Sequence, residues 1–201
     1  MKYFSMFSGI GGFELGIQQA YKYPICIGYS EIDKYAIEIY EKHFPTHRNY
    51  GDATKIIAEE LPDCDLLVGG FPCQSFSIAG KRRGFEDTRG TLFFDIARIL
   101  KAKRPKNFIL ENVKGLLNHD KGETYRIILQ TLAELDYYVE TMVLNSKNFG
   151  VPQNRERVFI IGHLGGIPER KVFPITGNDQ VSVYTETRTE PRTKPASAIT
   201  T

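Results

Sequence analysis

The stretch KYFSMFSGIGGFELGIQQAYK, residues 2–22, passes from one kind of backbone to another. KYFSMFS has the apolar, aromatic-rich character of a buried strand. GGFELGIQQAYK reads as the helix that follows it. Between them stand Gly9, Gly11 and Gly12, which let the chain turn sharply and bring its backbone close to a ligand. A strand that enters a glycine turn and leaves as a helix is a building unit of an α/β fold. In open α/β sheets, ligands lie at the carboxyl ends of strands, where this turn would stand.

The alternation continues along the chain. CIGYSE, residues 26–31, reads as a second strand, and KYAIEIYEKHF as a helix that Pro45 stops. DLLVGGF, residues 65–71, is a continuous buried strand. GTLFFDIARILKAK is amphipathic, with Leu92, Ile96 and Ile99 on one face. NFILENV is a strand, YRIILQTLAEL a helix, and YVETMVLN and RVFIIGHL two further strands. Strands alternating with helices predict a doubly wound, mostly parallel sheet. Only a loop separates the last two strands, too little for a crossover helix, so one of them is predicted to be antiparallel. After Leu164 the composition shifts to Gly, Pro, Thr and charge, and TETRTEPRTKP reads as exposed coil or extended edge. The predicted organisation is one domain over residues 1–164 and a polar tail over 165–201.

A chain of 201 residues suits one domain with a sizeable core. With 25% charged and 41% hydrophobic residues it has the composition of a globular protein. A net charge of +2 does not by itself point to nucleic acid, but it leaves room for a local basic surface. No apolar run reaches the length of a membrane span, and MKYFSMFSGIGG does not read as a signal peptide. The three cysteines, Cys26, Cys64 and Cys73, form no CxxC pair, so neither a disulfide framework nor a zinc site is expected. A reducing, cytoplasmic setting and no bound metal follow as expectations. His43 and His47 have ligand-like spacing, but Pro45 lies between them, and both are read as surface residues.

Four places could carry chemistry. Glu31 closes the second strand roughly 20 residues after the glycine turn, where such folds bind ribose hydroxyls. The spacing G-x-G-G differs from the dinucleotide pattern G-x-G-x-x-G, which points away from NAD and toward another adenosine-bearing cofactor. The alternative is a plain tight turn with a solvated Glu31. A thiol nucleophile needs exposure and a setting that favours thiolate. Cys73, in GGFPCQSFS (69–77), stands where a strand stops, with Pro72 before it and the backbone N–H groups of Gln74 and Ser75 after it. Cys26 and Cys64 read as structural. Glu111 ends an apolar strand. It is either a desolvated acid with a raised pKa, able to donate a proton near neutrality, or a solvated strand-end carboxylate. Arg155 and Arg157 share a side if QNRERVF is extended. Together they could bind phosphate, hold a carbonyl oxygen or fix Glu111. Lys81, Arg82 and Arg83 lie between Gly80 and Gly84, as a basic flap or a solvated loop.

FSGIGGFELG, GGFPCQSFS, ENV and QNRERVFIIG follow one another at predicted strand ends. In this order they closely resemble the DNA (cytosine-5)-methyltransferases, particularly those of bacterial restriction–modification systems. The resemblance covers residues 3–164, and KRRGFEDTRGTLFFDIARIL extends it between the cysteine and the glutamate. It implies a doubly wound, mostly parallel seven-stranded sheet of the S-adenosylmethionine-dependent methyltransferase type with one antiparallel strand. It implies S-adenosyl-L-methionine as cofactor, S-adenosyl-L-homocysteine as product and double-stranded DNA as substrate. By motif position Cys73 would add to C6 of a flipped-out cytosine, Glu111 would act at N3, and Arg157, with Arg155 beside it, would hold O2. Phe7 would pack on adenine, Gly9, Gly11 and Gly12 would face the methionine part, and Glu31 would bind ribose. Asp52 would take the adenine amino group, with Ile32, Ala53, Pro72 and Leu92 completing the pocket. Gln74, Ser77, Lys81, Arg82 and Arg83 would meet DNA. Family members carry a target-recognition region and closing motifs after this point, so a complementing polypeptide is expected. The competing readings are a truncated, non-catalytic cofactor- or DNA-binding protein and a tRNA cytosine-5 methyltransferase. An NAD oxidoreductase leaves Cys73 and Glu111 unexplained.

Overall fold

The computed structural model describes residues 1–72 and 92–173. Cys73, Gln74, Ser77, Lys81, Arg82, Arg83 and the tail from residue 174 onward lie outside the described residues. Six strands and four α-helices alternate within them: β1 (Lys2–Met6), α1 (Gly12–Ala20), β2 (Ile25–Ser30), α2 (Lys34–His43), β3 (Leu66–Gly70), α3 (Leu92–Lys103), β4 (Asn107–Val113), α4 (Glu123–Glu134), β5 (Tyr137–Asn145) and β6 (Glu156–Leu164). The sheet order is β2-β1-β3-β4-β6-β5. β1 pairs in parallel with β2 and β3, and β3 with β4. β6 is antiparallel to both its neighbours, β4 and β5. The loop over residues 146–155 is too short to carry the chain back across the sheet, so β6 has to return beside β5 as a hairpin.

The expected seven-stranded sheet is corrected to six strands among the described residues. Beyond β2, where a further edge strand could pair, only an isolated parallel bridge between Tyr29 and Asn49 forms. Its rung consists of the Tyr29 N–H donating to the Arg48 carbonyl (2.9 Å) and the Tyr50 N–H donating to the Tyr29 carbonyl (2.7 Å). Gly51, at positive φ, turns the chain away directly afterwards.

Side chains alternate across the strands and separate two apolar layers. One layer joins Phe4, Met6, Leu67, Phe108, Leu110 and Ile160 to the buried stripes of α3 and α4. The other sets Tyr3, Leu66 and Val68 against Ile17 of α1. In α3 the buried stripe is Phe93, Ile96, Ala97, Ile99 and Leu100. Leu92 is only half-buried, because the apolar face is centred one residue later than predicted. α2 starts at an Asp33 cap that accepts the N–H groups of Tyr35 and Ala36, and it ends two residues before Pro45.

Glu14 has no counterpart in the sequence reading. It lies fully buried in the first turn of α1 and accepts the Tyr40 hydroxyl at 3.1 Å. Tyr40 stacks on Tyr29 and lies 3.0 Å from Nδ1 of His47. His47 is therefore not a simple surface residue: it is half-buried against Tyr3 and Phe44, and burial lowers its pKa. Cys26 and Cys64 are half-buried, and burial raises both thiols, Cys64 to about 11.

Two stability predictions follow from the packing. At Gly162 of β6 a Cβ would overlap the Phe108 ring, which packs edge-on against Tyr137. Gly162→Ala should destabilise the protein by about 1–3 kcal/mol, as overpacking does, visible as a lower midpoint in urea. Burial raises the pKa of Glu14 in the folded state. Between the ordinary carboxylate value and the raised one, the native state binds more protons than the unfolded state, so stability falls as pH rises through that window. Glu14→Gln retains an acceptor for Tyr40 without the charge. Its midpoint relative to wild type should improve as pH is raised from 4.5 to neutrality, and a pH-independent difference would contradict this.

Candidate active site

Every candidate site residue that the structure describes lies on or near one edge of the sheet, where β1, β2, β3 and β4 end and β6 begins. β1 has β2 on one side and β3 on the other, which opens the crevice where such sheets hold ligands. At the end of β1 the chain turns through Phe7 (φ 53°), Gly9 (φ 56°) and Gly11 (φ 94°). Left-handed backbone is unusual for phenylalanine and marks a constrained turn. At Gly11 a Cβ would collide with the Phe44 ring, so both backbone sign and space call for glycine. Gly9 and Gly12 face open space.

Glu31 clamps this turn to the end of β2. Its Oε2 accepts the Gly9 N–H at 2.8 Å, and its Oε1 accepts the N–H groups of Ile32 and Asp33 at 2.8 and 2.9 Å. A partly exposed carboxylate held this way still has lone pairs for hydroxyl donors. Ile32 beside it is 71% exposed, an apolar side chain standing uncovered next to the acid. Asn49 passed unnoticed in the sequence. Its side chain bonds both backbone groups of Glu31 and the Gly51 N–H, tying the β2 end to the segment that carries Asp52. Its only local signal is its place just before YGDAT. Asp52 caps a short turn, taking the Thr54 N–H and hydroxyl at 3.0 and 2.8 Å. Chiefly that hydroxyl bond holds its carboxyl below the usual range. The buried Ala53 offers its carbonyl to Arg98, which also takes the carbonyl of Ile56.

The second half of the site lies on β4 and β6. Glu111 pairs across the sheet with Gly70 on one side and Phe159 on the other. Arg157, two residues before Phe159, therefore points to the same face. Its Nε meets Glu111 Oε1 at 2.8 Å, while Arg155 Nη2 stands 3.9 Å from the same oxygen. Among the uses open to the two arginines, the structure shows Arg157 fixing Glu111. Glu111 is 23% exposed and paired with a guanidinium, rather than isolated among apolar groups as one sequence reading had it. A Cβ on Gly70 would lie 3.3 Å from Glu111 Oε2, so this glycine lets β3 run close past the carboxylate. The chain then passes the buried Phe71 and exposed Pro72, the residue before Cys73.

Asn112 was also missed, although it belongs to the ENV motif. It is buried, and its amide donates to the Phe71 carbonyl at 2.8 Å while accepting the Val113 N–H. It therefore ties the end of β4 to the backbone leading to the cysteine. Lys114 binds both oxygens of Glu156 at 3.0 Å next to Arg157. Asn145 accepts the N–H groups of Lys147 and Arg155, which stiffens the hairpin that carries the arginines. Asp52 caps the short turn that Ala53 opens, Pro72 follows β3, and Leu92 opens α3. Among the described residues no group of three or more His, Cys, Asp or Glu side chains could hold a metal ion, and no helix is long and apolar enough to cross a membrane.

The family profile of C-5 cytosine-specific DNA methylases matches residues 1–197. Type II methyltransferase M1.ScrFI of Lactococcus lactis subsp. cremoris is 56% identical over 161 residues, covering 80% of this chain and 41% of that protein. Type II methyltransferase M.NlaIV of Neisseria lactamica is 51% identical over 180 residues, covering 84% of this chain and 43% of that protein. The chain thus spans less than half the length of these relatives. The crystal structure of the S. pombe Dnmt2 methyltransferase superposes with a TM-score of 0.70 at 23% identity, covering 86% of this chain and 53% of that one. An E. coli putative DNA modification methyltransferase encoded within a prophage gives 0.67 at 26%, covering 82% and 47%. The fold is that of S-adenosylmethionine-dependent methyltransferases, and by the match along nearly its whole length the chain belongs to the C-5 cytosine-specific DNA methylase family.

Proposed function

We propose that this chain is the catalytic lobe of an enzyme that transfers a methyl group to C5 of cytosine in double-stranded DNA. It would use S-adenosyl-L-methionine and release S-adenosyl-L-homocysteine. The observation that carries the reading is the Glu111–Arg157 pair beside Gly70, where β3 delivers the chain toward Cys73. A cytosine ring is a poor carbon nucleophile, and covalent addition divides one hard step into easier ones. The Cys73 thiolate adds to C6, and the electron pair moves toward C5 and N3. Glu111 supplies a proton or hydrogen bond at N3 as charge develops there. Arg157 holds Glu111 in place and, with Arg155, offers N–H donors to O2. C5 would then take the methyl group as its bond to the cofactor's sulfur breaks, and loss of the C5 proton to a base would expel the thiolate from C6, release the proton at N3 and restore the ring. C6 cannot be reached in a stacked duplex, so the base has to leave the helix, and Gln74, Ser77 and the basic run Lys81–Arg83 are assigned to DNA.

The residues at the β1 and β2 ends suit an adenosine-bearing cofactor. Glu31 retains acceptor capacity for two ribose hydroxyls, the exposed Ile32 and the half-buried Phe7 offer apolar surface for a base, and the backbone at Gly9 and Gly12 is open to close approach. When bound, the cofactor supplies an electrophilic methyl group. Asp52 Oδ1 is taken by Thr54, its Oδ2 faces Lys55 at 3.6 Å, and the carboxylate is assigned to the adenine amino group. Ala53, Pro72 and Leu92 are assigned to the wall of the same pocket, and Gly11 to its floor. The curated relatives are more than twice as long as the part they share with this chain, which supports a region beyond it that chooses the DNA site.

The reading is tested by mixing the chain with a complementing region, such as the part of the Lactococcus lactis relative beyond the match, produced as a separate polypeptide. With DNA containing 5-fluorocytosine the mixture should form a stable covalent adduct, because fluorine blocks the elimination step. Cys73→Ala should abolish both adduct and methyl transfer; adduct formation by that variant would remove Cys73 from the mechanism. Transfer to tRNA but not to DNA would reassign the substrate.

Glu111→Gln keeps the shape of the side chain but removes the carboxyl group. The single-turnover methylation rate should fall by roughly 10²–10⁴-fold, the range of general acid–base catalysis. An unchanged rate would exclude Glu111 from the chemistry.

A further inference from the structure

Residues 48–51 run beside β2 for one rung and then leave it. The Tyr50 ring fills the space over Gly28, where a Cβ would overlap it, and meets Phe4 edge-on at 5.6 Å. The rung at Tyr29 holds the main chain of Tyr50 as well. One residue later Gly51 turns away at φ 69°. In a strand, residues two apart turn their main-chain groups to the same side, so the next rung would fall at Glu31. The Asn49 side chain makes it. Its Oδ1 accepts the Glu31 N–H at 3.3 Å and its Nδ2 donates to the Glu31 carbonyl at 3.1 Å. A carboxamide carries the acceptor and donor of a peptide group, and here it stands in for a rung that the backbone does not form. Its orientation is fixed, because a flipped amide would point N–H groups at the N–H groups of Glu31 and Gly51.

The same Oδ1 accepts the Gly51 N–H, two residues on, at 2.8 Å. One side chain therefore bridges the main chain of Glu31 and the residue before Asp52. The two acids are each oriented by their own neighbourhood: Glu31 by the N–H groups of Gly9, Ile32 and Asp33, and Asp52 by Thr54. Neither set of bonds relates one acid to the other. That relation passes through Asn49, with the Ser30 hydroxyl on the Gly51 carbonyl at 2.6 Å as a second tie. Farther on, Arg98 anchors the same segment to α3 through the carbonyls of Ala53 and Ile56. At Gly51 nothing stands within 4 Å of where a Cβ would be, so packing there does not replace the bridge.

From this geometry we infer that Asn49 is a positioning residue that determines cofactor selectivity. It sets the separation between Glu31 and Asp52 at which the ribose and the adenine of one adenosine are recognised together. Its amide is committed to three backbone groups, so it acts through Glu31 and Gly51 rather than on the ligand. The inference rests on the proposed assignments of the two acids. When both stand ready, the second contact follows the first with little further ordering. Without the bridge each acid keeps its own bonds and its own half of the ligand, and the gain from binding both halves at once is lost.

The test is calorimetry on the chain with S-adenosyl-L-homocysteine and two analogues, one with 2′,3′-dideoxyribose and one with hypoxanthine in place of adenine. Wild type should prefer S-adenosyl-L-homocysteine to each analogue by about tenfold or more, the size of one lost charge-assisted hydrogen bond. Asn49→Ser keeps an acceptor for the Gly51 N–H, so the turn and the thermal midpoint should survive, but its side chain is too short to bridge to Glu31. It should bind S-adenosyl-L-homocysteine about tenfold more weakly and each analogue within about threefold of wild type, because only the joint contact is lost. Asn49→Asp keeps an acceptor for both N–H groups and sets an oxygen against the Glu31 carbonyl. Its selectivity should fall between those of wild type and Asn49→Ser, and it carries the test if the midpoint of Asn49→Ser drops. An equal loss for all three ligands would make Asn49 a general support of the pocket and overturn the inference. Unchanged selectivity in both variants would overturn it too, and would leave the assignments of Glu31 and Asp52 standing. A wild-type chain that does not prefer S-adenosyl-L-homocysteine strikes those assignments themselves, and the inference with them.

Discussion

The site depends on one strand running the wrong way. β6 is antiparallel to β4, so its first residues meet the last residues of β4. Only this brings Arg157 to Glu111 at 2.8 Å and Arg155 near it. A parallel strand in the same place would have carried both arginines to the opposite edge, a full strand length away. Glu111 would then have stood at the end of an apolar strand without a cation. The direction of β6 follows from a short connection: residues 146–155 can make a hairpin and cannot make a crossover. A loop too short for a helix thus determines the electrostatics of this edge. A charge-assisted bond from a planar guanidinium also orients the carboxylate, which an isolated acid could not achieve for itself.

The rest of the edge is organised by side chains that hold backbone. Glu31 takes three N–H groups from two loops, Asn49 bonds the β2 end and the turn before Asp52, and Asn112 holds the Phe71 carbonyl. Each leaves a loop with fewer conformations, so less ordering remains to be done when a ligand arrives. Glycines complement these clamps where two segments must pass closely. Gly11 gives way to Phe44, Gly70 to Glu111 and Gly162 to Phe108. Beneath the glycine turn, Glu14, Tyr40 and His47 connect α1 to α2 through polar groups that burial has moved away from their ordinary titration ranges. The turn therefore rests on a polar network as well as on apolar packing. Glu14 enters it through Oε1 alone, and its buried Oε2 has no hydrogen-bond partner among the described residues.

The alternation of strands and helices, the hairpin at the end and the terminal positions of Glu31 and Glu111 were all legible in the sequence. They depend on apolar periodicity, on glycine and proline, and on loop length, which are local properties. NFILENV coincides with β4 to the residue. The pattern along the chain gave six strands, and the seventh came only from the resemblance; that the segment at Asn49 forms one bridge and no strand was not legible, because whether a segment pairs for one rung or five depends on where its neighbours lead it. Nor was the centring of the α3 stripe on Phe93 and Ile96 rather than on Leu92. A helix's apolar face is broad, and the sheet beneath decides which part of it is buried.

Tertiary structure alone decided the contacts between distant residues. Glu111 and Arg157 are 46 positions apart, Asn112 and Phe71 41, and Glu140 and Phe173 33. A lone Glu, Asn or Glu carries no local mark of such a partner. Glu14 carries no local mark of burial either, and only α2 lying over it made it a buried first-turn acid of α1. The sequence by itself determined the elements and the residue types available at their ends, because those follow from propensity and pattern along the chain. The tertiary structure decided which of those ends meet, because strand order and strand direction are set by the packing of whole layers.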